Sequence, residues 1–197
     1  MDPLLTALGV SPELQAYFGI RESRFTYGSD QEIFARDFHR VPLTRDLWMH
    51  GNYPATELIV TSSAMEAIAY MALNGWRHPA EAALSFIAIG LRPFPEQLRW
   101  IGKYCLKRKI TLVFPNDAGG RLTDIVIAAG IREKPVRAVW YRDRVQFVTN
   151  NMTVALPAPK ISLSAFEKAA SLRTGIRTRK PGRFNTFLEQ LCYENTT

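Results

Sequence analysis

The feature that most constrains the fold of this chain is an alternation of apolar runs with helix-like segments between residues 57 and 141. The apolar runs lie at residues 57–61 (ELIVT), 85–90 (SFIAIG), 111–114 (TLVF) and 136–141 (VRAVWY). The segments between them carry apolar residues at helical spacing. Strands that are apolar on both faces pair in parallel and are joined by helices that cover the sheet. We therefore expect a Rossmann-like α/β core with a mainly parallel four-stranded sheet flanked by helices.

The sequence before this core has a different pattern. Ser11 is a typical helix N-cap and Pro12 a typical first helical residue, so PELQAYFG predicts a short helix. Candidate strands follow near residues 24–28, 32–38 and 45–50. These features predict a helix followed by a β-rich extension.

The sequence after the fourth apolar run predicts further β-structure and then a helix. Residues 142–150 and 152–157 are expected to form a β-hairpin that turns at Asn150–Asn151. Ser164 and Glu167 have the spacing of a capping box, which predicts the start of a helix.

The chain of 197 residues is long enough for one domain with appendages. The changes of pattern divide it into an N-terminal extension (1–55), an α/β core (56–160) and a basic, helical C-terminal segment (161–197). No apolar run approaches the roughly 18 residues that span a bilayer, and MDPLLTALGV lacks the features of a signal peptide. The two cysteines are isolated in helical segments, which favours reduced thiols and a cytoplasmic location.

Positive charge is concentrated near the C-terminus. The formal net charge is +7, from 25 Lys and Arg against 18 Asp and Glu. Residues 172–184 (LRTGIRTRKPGRF) contain no acid. Their basic residues are candidates for contacts with nucleic-acid phosphates: Arg173, Arg177, Arg179, Lys180 and Arg183.

Two acids fall where an open parallel sheet binds ligands, at the carboxyl ends of its strands. Glu66 lies one turn into the helix after the first strand, and Asp117 follows the third strand. Together they could share a Mg²⁺ or Mn²⁺ ion, because magnesium needs only one or two protein carboxylates. Each also has a structural alternative: Glu66 completes a capping box with Ser63, and Asp117 is a good N-cap for the helix predicted from about Ala118.

The loop after the third strand has the composition of a phosphate-binding loop. Asn116, Gly119, Gly120 and Arg121 surround Asp117, and the glycines would allow close backbone approach to an anion. The sequence has no Walker lysine after this loop, no G-x-G-x-x-G pattern, no G-x-S-x-G elbow and no histidines at zinc spacing. Hydrolase and zinc-enzyme functions are therefore disfavoured.

Three landmarks occur in order along the chain: TSSAMEAI (61–68), FPNDAGGR (114–121) and RFNTFL (183–188). They are similar to the Toprim patterns T-E-S-x-x-D-A-L, F-D-N-D-x-A-G-R and K-D-W-N-x-x-L. Residues from about 57 to 188 thus resemble a Toprim domain, the catalytic module of bacterial-type primases and of type IA and II topoisomerases. The resemblance is greatest to the primase-like versions found on plasmids and other mobile elements.

The departures from the Toprim pattern concern its acids. The family's catalytic glutamate falls on Ser62, its first aspartate on Pro115, and the aspartate of its closing motif on Arg183. Asp117 remains in place, and Glu66 occupies a helix position that usually holds aspartate. The resemblance then implies weak binding of Mg²⁺ or Mn²⁺ at most, because two anionic ligands of the family's site are missing. Catalysis is then disfavoured, since phosphoryl transfer at such a site needs metal to neutralise developing charge.

Three functions remain open at this point. The preferred hypothesis is a catalytically inactive Toprim-like module that binds DNA, in single-stranded form, for replication or mobilisation of a mobile element. The second is an active metal-dependent primase or nuclease whose site is rebuilt around Glu66 and Asp117. The third is a scaffold that binds a helicase or relaxase, which the fold alone does not exclude.

Overall fold

The computed structural model describes residues 1–51, 55–78, 83–149 and 152–196. The helices are α1 (Pro3–Ala7), α2 (Pro12–Tyr17), α3 (Ala64–Asn74), α4 (Pro95–Cys105), α5 (Ala118–Ile131), α6 (Leu163–Ala169) and α7 (Phe187–Thr196). The strands are β1 (Arg24–Tyr27), β2 (Asp30–Phe34), β3 (His39–Arg40), β4 (Trp48–Gly51), β5 (Glu57–Thr61), β6 (Leu84–Ala88), β7 (Lys109–Val113), β8 (Arg137–Tyr141), β9 (Arg144–Val148), β10 (Thr153–Pro157) and β11 (Arg177–Arg179).

A mixed five-stranded sheet forms the centre of the molecule, in the order β11-β7-β5-β6-β4. β5 pairs in parallel with β6 and β7, and β11 pairs in parallel with β7. β4 pairs with β6 in the antiparallel direction. The predicted mixed α/β class is confirmed, and the first three apolar runs form the three central strands, because such runs can be buried on both faces.

The predicted placement of residues 136–141 in this sheet is wrong. β8 belongs to a separate antiparallel sheet with the order β10-β9-β8. Most of its residues are exposed, so its apolar composition does not reflect burial between helices. The position beside β7 is filled by β11, a three-residue strand within the basic segment.

The central sheet separates two apolar layers. On one face, Leu112 of the sheet packs in a cluster with Ile101 of α4 and Ile125 of α5. On the other face, Ile59 packs in a cluster with Ile68 of α3, and α7 lies against α3. Both layers are therefore built on the same three parallel strands.

The N-terminal segment packs onto the α3 face of the sheet. Leu5, Phe18 and Tyr27 belong to the same apolar cluster as α3, and β4 is a strand of the central sheet. The helix predicted at PELQAYFG is confirmed as α2, with the Ser11 hydroxyl accepting a hydrogen bond from the Leu14 N–H at 3.2 Å. Residues 1–51 thus share their core with the α/β unit.

The C-terminal segment differs from prediction at the start of α6. The N-cap is Ser162, whose hydroxyl accepts from the Ala165 N–H, and not Ser164. The Glu167 carboxylate accepts from the N–H of Thr174 and so holds the chain beyond the helix. The predicted hairpin is confirmed as the antiparallel pair β9–β10, while its predicted turn at Asn150–Asn151 lies outside the described residues. No helix in the described part of the chain is long and apolar enough to cross a membrane.

Candidate functional site

The loop after β7 is held by the C-terminal segment. The Asn116 N–H donates to the Asn185 carbonyl at 2.7 Å, and the Asn116 amide donates to the Pro181 carbonyl at 3.2 Å. Arg121 donates to the Asn116 side-chain oxygen at 3.2 Å. Two of the predicted phosphate-loop residues, Asn116 and Arg121, are therefore brought together by a contact within the protein.

Asp117 forms the N-cap of α5. Its carboxylate accepts from the Gly120 N–H at 2.7 Å, and its side chain is exposed. A Cβ atom on Gly120 would lie 2.0 Å from the Pro115 carbonyl oxygen, whereas one on Gly119 would lie 3.4 Å from the nearest atom. Close contact between helix and loop therefore requires glycine at 120, and this requirement does not depend on a ligand.

Lys180 points into the protein at the base of this loop. Its ammonium donates to the carbonyls of Phe114 and Pro115, each at 3.0 Å, and to the Asp124 carboxylate at 2.6 Å. These three contacts use its three N–H donors. Lys180 therefore fixes the chain after β11 to the end of β7 and to α5, and it differs in this respect from the exposed arginines around it.

Asp124 is the acidic partner in this contact and is 2% exposed. Burial raises its pKa to about 6, although the positive charge of Lys180 opposes the rise. Its second carboxylate oxygen, Oδ1, is the one buried side-chain polar atom without a hydrogen-bond partner among the described residues. Asp124 carries no sequence signal of this role, because it lies two turns into α5 and outside any motif.

Glu66 is buried and forms the cap of a helix other than its own. Its two carboxylate oxygens accept from the N–H groups of Phe187, at 2.7 Å, and Leu188, at 3.1 Å, at the start of α7. Burial raises the pKa of Glu66 to about 7, and these two hydrogen bonds oppose the rise. The predicted N-cap at Ser63 is confirmed, since its hydroxyl accepts from the Glu66 N–H. The predicted return contact from the Glu66 carboxylate to the cap is wrong, because that carboxylate is bound to α7.

A third carboxylate reaches this edge of the sheet from the N-terminal segment. Glu32 of β2 is fully buried and accepts from the N–H groups of Ala64, at 2.7 Å, and Met65, at 3.0 Å, at the start of α3. It also accepts from the Tyr27 hydroxyl and contacts His39 Nε2 at 2.9 Å. Sequence reasoning missed Glu32; the available signal was a charged residue at an inward-facing position of a strand.

Each of three helices thus has its N-terminus bound by a carboxylate of the protein itself. Glu32 binds α3, Asp117 binds α5 and Glu66 binds α7. A helix N-terminus carries partial positive charge and unpaired N–H groups, so it is a common site for phosphate. Within the described ranges, no group of three or more His, Cys, Asp and Glu side chains is placed to hold a metal ion. At this edge the acids serve as helix caps.

The predicted basic contacts lie along one exposed segment, with the exception of Lys180. Arg173, Arg177, Arg179 and Arg183 are exposed, and none forms an ion pair within the part of the chain that the structure describes. Arg177 and Arg179 are the two ends of β11, the outer strand of the central sheet. Their guanidinium groups are therefore available to an external anion.

Comparison with known proteins found no matching family model, no matching curated protein and no matching solved structure. The functional conclusion therefore depends on the geometry of this chain.

Proposed function

We propose that the chain is a Toprim-like module that binds single-stranded DNA without catalysing phosphoryl transfer, and that it serves the replication or mobilisation of a mobile element. The parallel arrangement of β11, β7, β5 and β6 supports a Toprim-like core. The position of the FPNDAGGR loop at the carboxyl end of β7, at the start of α5, supports the same assignment. Ligands of open α/β sheets bind at that end.

The single observation that carries the non-catalytic part of this proposal is the use of the local acids as helix caps. Both oxygens of Glu66 accept backbone N–H groups, and an Asp117 oxygen accepts the Gly120 N–H. A divalent metal would have to compete with these contacts for its ligands. Ser62 and Pro115 supply no carboxylate at the other two positions, so charge neutralisation by metal at this edge is poorly supported.

The nucleic-acid part of the proposal is supported by the exposed arginines of residues 172–184, a stretch without an acid. Guanidinium groups bind phosphates through two parallel hydrogen bonds. Unpaired, exposed cations release condensed counterions from DNA when they bind, and this release makes the affinity depend on salt. β11 is the outer strand of the central sheet, so an extended DNA strand could lie along its outer side.

Fluorescence anisotropy with a labelled single-stranded oligonucleotide, measured over a salt series, tests this function. The variant R173Q/R177Q/R179Q should lower the slope of log affinity against log salt by about 2, since each single-strand phosphate contact contributes about 0.7. The matched control R137Q/R142Q/R144Q removes three exposed arginines from the β8–β9 hairpin and should leave the slope near that of the unmodified protein.

Two results would refute the proposal. Absence of binding at low salt would refute the nucleic-acid function. Primer synthesis or DNA cleavage that requires Mg²⁺ or Mn²⁺ and disappears in D117N would refute the non-catalytic assignment and favour a rebuilt primase or nuclease site.

A further inference from the structure

A small cavity lies beside β11, on the side of the sheet that carries α3. Its volume is about 150 Å³, below the roughly 300–1,000 Å³ of pockets that enclose drug-sized ligands. It is lined by four cationic side chains: Arg77, Lys109, Arg177 and Arg179. It lies near the amino ends of β5 and β7, since Glu57 and Lys109 begin those strands, and so it is separate from the Asp117 loop.

Strand register explains why the two arginines of β11 face this cavity. Arg177 lies beside Thr111 of β7, and Arg179 lies beside Val113. Neighbouring residues in register share a face of the sheet, and residues two apart on a strand point the same way. Val113 packs in the apolar cluster that contains α3. Both arginines therefore project on the α3 side, where Arg77 reaches the cavity from the turn after that helix.

The positive charge in the cavity is only partly balanced. Among the described residues of its lining, Glu57 is the one carboxylate, and it is already paired with Lys109 and lies 3.7 Å from His78 Nδ1. Among the described residues, none of the three arginines forms an ion pair. The guanidinium carbon of Arg77 lies 4.4 Å from the centre of the Trp76 ring. Three arginines therefore line one cavity, and none of them has a carboxylate partner in the part of the chain that the structure describes.

The remaining polar groups of the cavity are neutral. The Tyr70 hydroxyl and His78 Nε2 are hydrogen-bonded at 3.0 Å. Burial lowers the pKa of His78, so that its imidazole is uncharged at neutral pH. Burial raises the pKa of Tyr70, while the positive charges of Arg179 and Arg77 oppose that rise. At neutral pH neither group therefore supplies a negative charge to balance the arginines.

Protection of the sheet edge explains only part of this arrangement. Exposed edge strands often carry charged residues, which prevent pairing with another chain, and this accounts for Arg177 and Arg179 on β11. It does not account for Arg77, which lies outside the sheet and approaches the same space. Like charges that converge are unfavourable unless an anion compensates them.

We propose that this cavity binds the terminal phosphate monoester of a nucleic-acid strand, an inference that rests on the proposed DNA-binding function. A monoester carries about −1.5 to −2 charges at pH 7 and three acceptor oxygens, which suits three arginines that have no ion pair among the described residues. A phosphodiester inside a strand carries one charge and has a sugar on both sides. The volume of about 150 Å³ is close to that of one phosphate group, so the sugar and base of the terminal nucleotide would lie outside the cavity.

Competition anisotropy with three oligonucleotides of one sequence tests the site: one with a 5′-phosphate, one with a 3′-phosphate and one with hydroxyls at both ends. We expect one phosphorylated end to bind about tenfold more tightly, because a charge-assisted hydrogen bond is worth at least that factor. The variant R77Q should abolish this preference and leave the affinity for the hydroxyl-ended strand within about twofold. The control R99Q removes an exposed arginine from α4, on the other face of the sheet, and should keep the preference. Equal affinities for all three strands would overturn the proposal.

A second measurement does not depend on DNA binding. The chain contains three histidines, whose ring protons can be followed by NMR during titration with inorganic phosphate. We expect a saturable shift for His78, little change for His39 and His50, and no saturable shift of His78 in R77Q. If no oligonucleotide binds, the proposed function fails, and this titration still decides the cavity. The absence of a His78 response at millimolar phosphate would overturn the phosphate site.

Discussion

Lys180→Met keeps most of the length of the side chain and removes its ammonium group, so it isolates the contribution of that charge. In the folded protein the ammonium binds the Asp124 carboxylate and the carbonyls of Phe114 and Pro115. Removing it leaves a carboxylate that is 2% exposed without its cation. Loss of one partner of a buried ion pair costs about 3–5 kcal/mol.

The expected loss at neutral pH is at the lower end of that range, about 3 kcal/mol. Burial already raises the pKa of Asp124 to about 6, so loss of Lys180 should raise it further and allow the carboxyl to take up a proton. Protonation of the carboxyl costs about 1.4 kcal/mol for each pH unit by which the ambient pH exceeds the pKa of Asp124 in the variant. The loss of stability caused by Lys180→Met should therefore be smaller at pH 5 than at pH 8.

Urea unfolding at the two pH values measures this effect. With a slope of about 2 kcal/mol per molar urea, a loss of about 3 kcal/mol lowers the midpoint by about 1.5 M. The double variant D124N/K180M should lose less stability than the two single changes summed, with a coupling of about 2 kcal/mol between them.

Arg179→Met is the matched control, since it removes a neighbouring but exposed cation and should alter stability by no more than about 0.5 kcal/mol. If Lys180→Met lowers the free energy of unfolding by less than about 1 kcal/mol at both pH values, the buried ion pair between Lys180 and Asp124 does not stabilise the fold to the expected extent.

Three further predictions concern the same edge of the sheet. Burial raises the pKa of Glu66 to about 7 from an ordinary 4.5, so its contribution to stability is present below pH 4.5 and is lost as the pH rises through 7. As the pH rises from 5 to 8, the free energy of unfolding should therefore decrease by up to roughly 3 kcal/mol, and the urea midpoint should decrease with it. E66Q should make this pH dependence weaker. Gly120→Ala should cost about 1–3 kcal/mol in thermal or urea unfolding, because its Cβ would lie 2.0 Å from the Pro115 carbonyl oxygen. The control Gly119→Ala should stabilise α5 by about 0.5–1 kcal/mol, and equal effects of the two changes would refute the packing argument. Glu32→Gln should lower stability by about 2–4 kcal/mol through its lost charge-assisted hydrogen bonds, whereas the exposed Glu22→Gln should change it by less than about 0.5 kcal/mol.

The parts of the fold that the sequence predicted are those in which local pattern and burial agree. β5, β6 and β7 are apolar and buried on both faces, and α5 begins at the predicted Ala118. The run at 136–141 has a similar composition but lies in an exposed meander. Composition alone does not separate these two cases, because the difference arises from which surface lies opposite the strand.

β11 is the fourth parallel strand of the central sheet, and hydrophobic periodicity in the sequence does not predict it. β11 spans three residues, Arg177–Arg179, and its sequence RTR resembles a solvated charge run. Lys180 belongs to the same run by composition, yet its side chain points into the protein. It forms a buried ion pair with Asp124, which lies 56 positions earlier in the sequence. Long-range contacts of this kind have no local sequence signal.

The acids at the sheet edge show why a motif position does not by itself identify a metal ligand. Three helices place their positive N-termini at the carboxyl ends of the strands, and each end is stabilised by a negative group. An external phosphate could supply that charge, but here Glu32, Asp117 and Glu66 supply it from within the chain. Each of these carboxyl groups binds backbone N–H groups, and for that reason it is less available to a metal. Among the described residues, the exposed arginines of β11 and of the segment around it form no ion pair, and that segment is where we propose that nucleic acid binds.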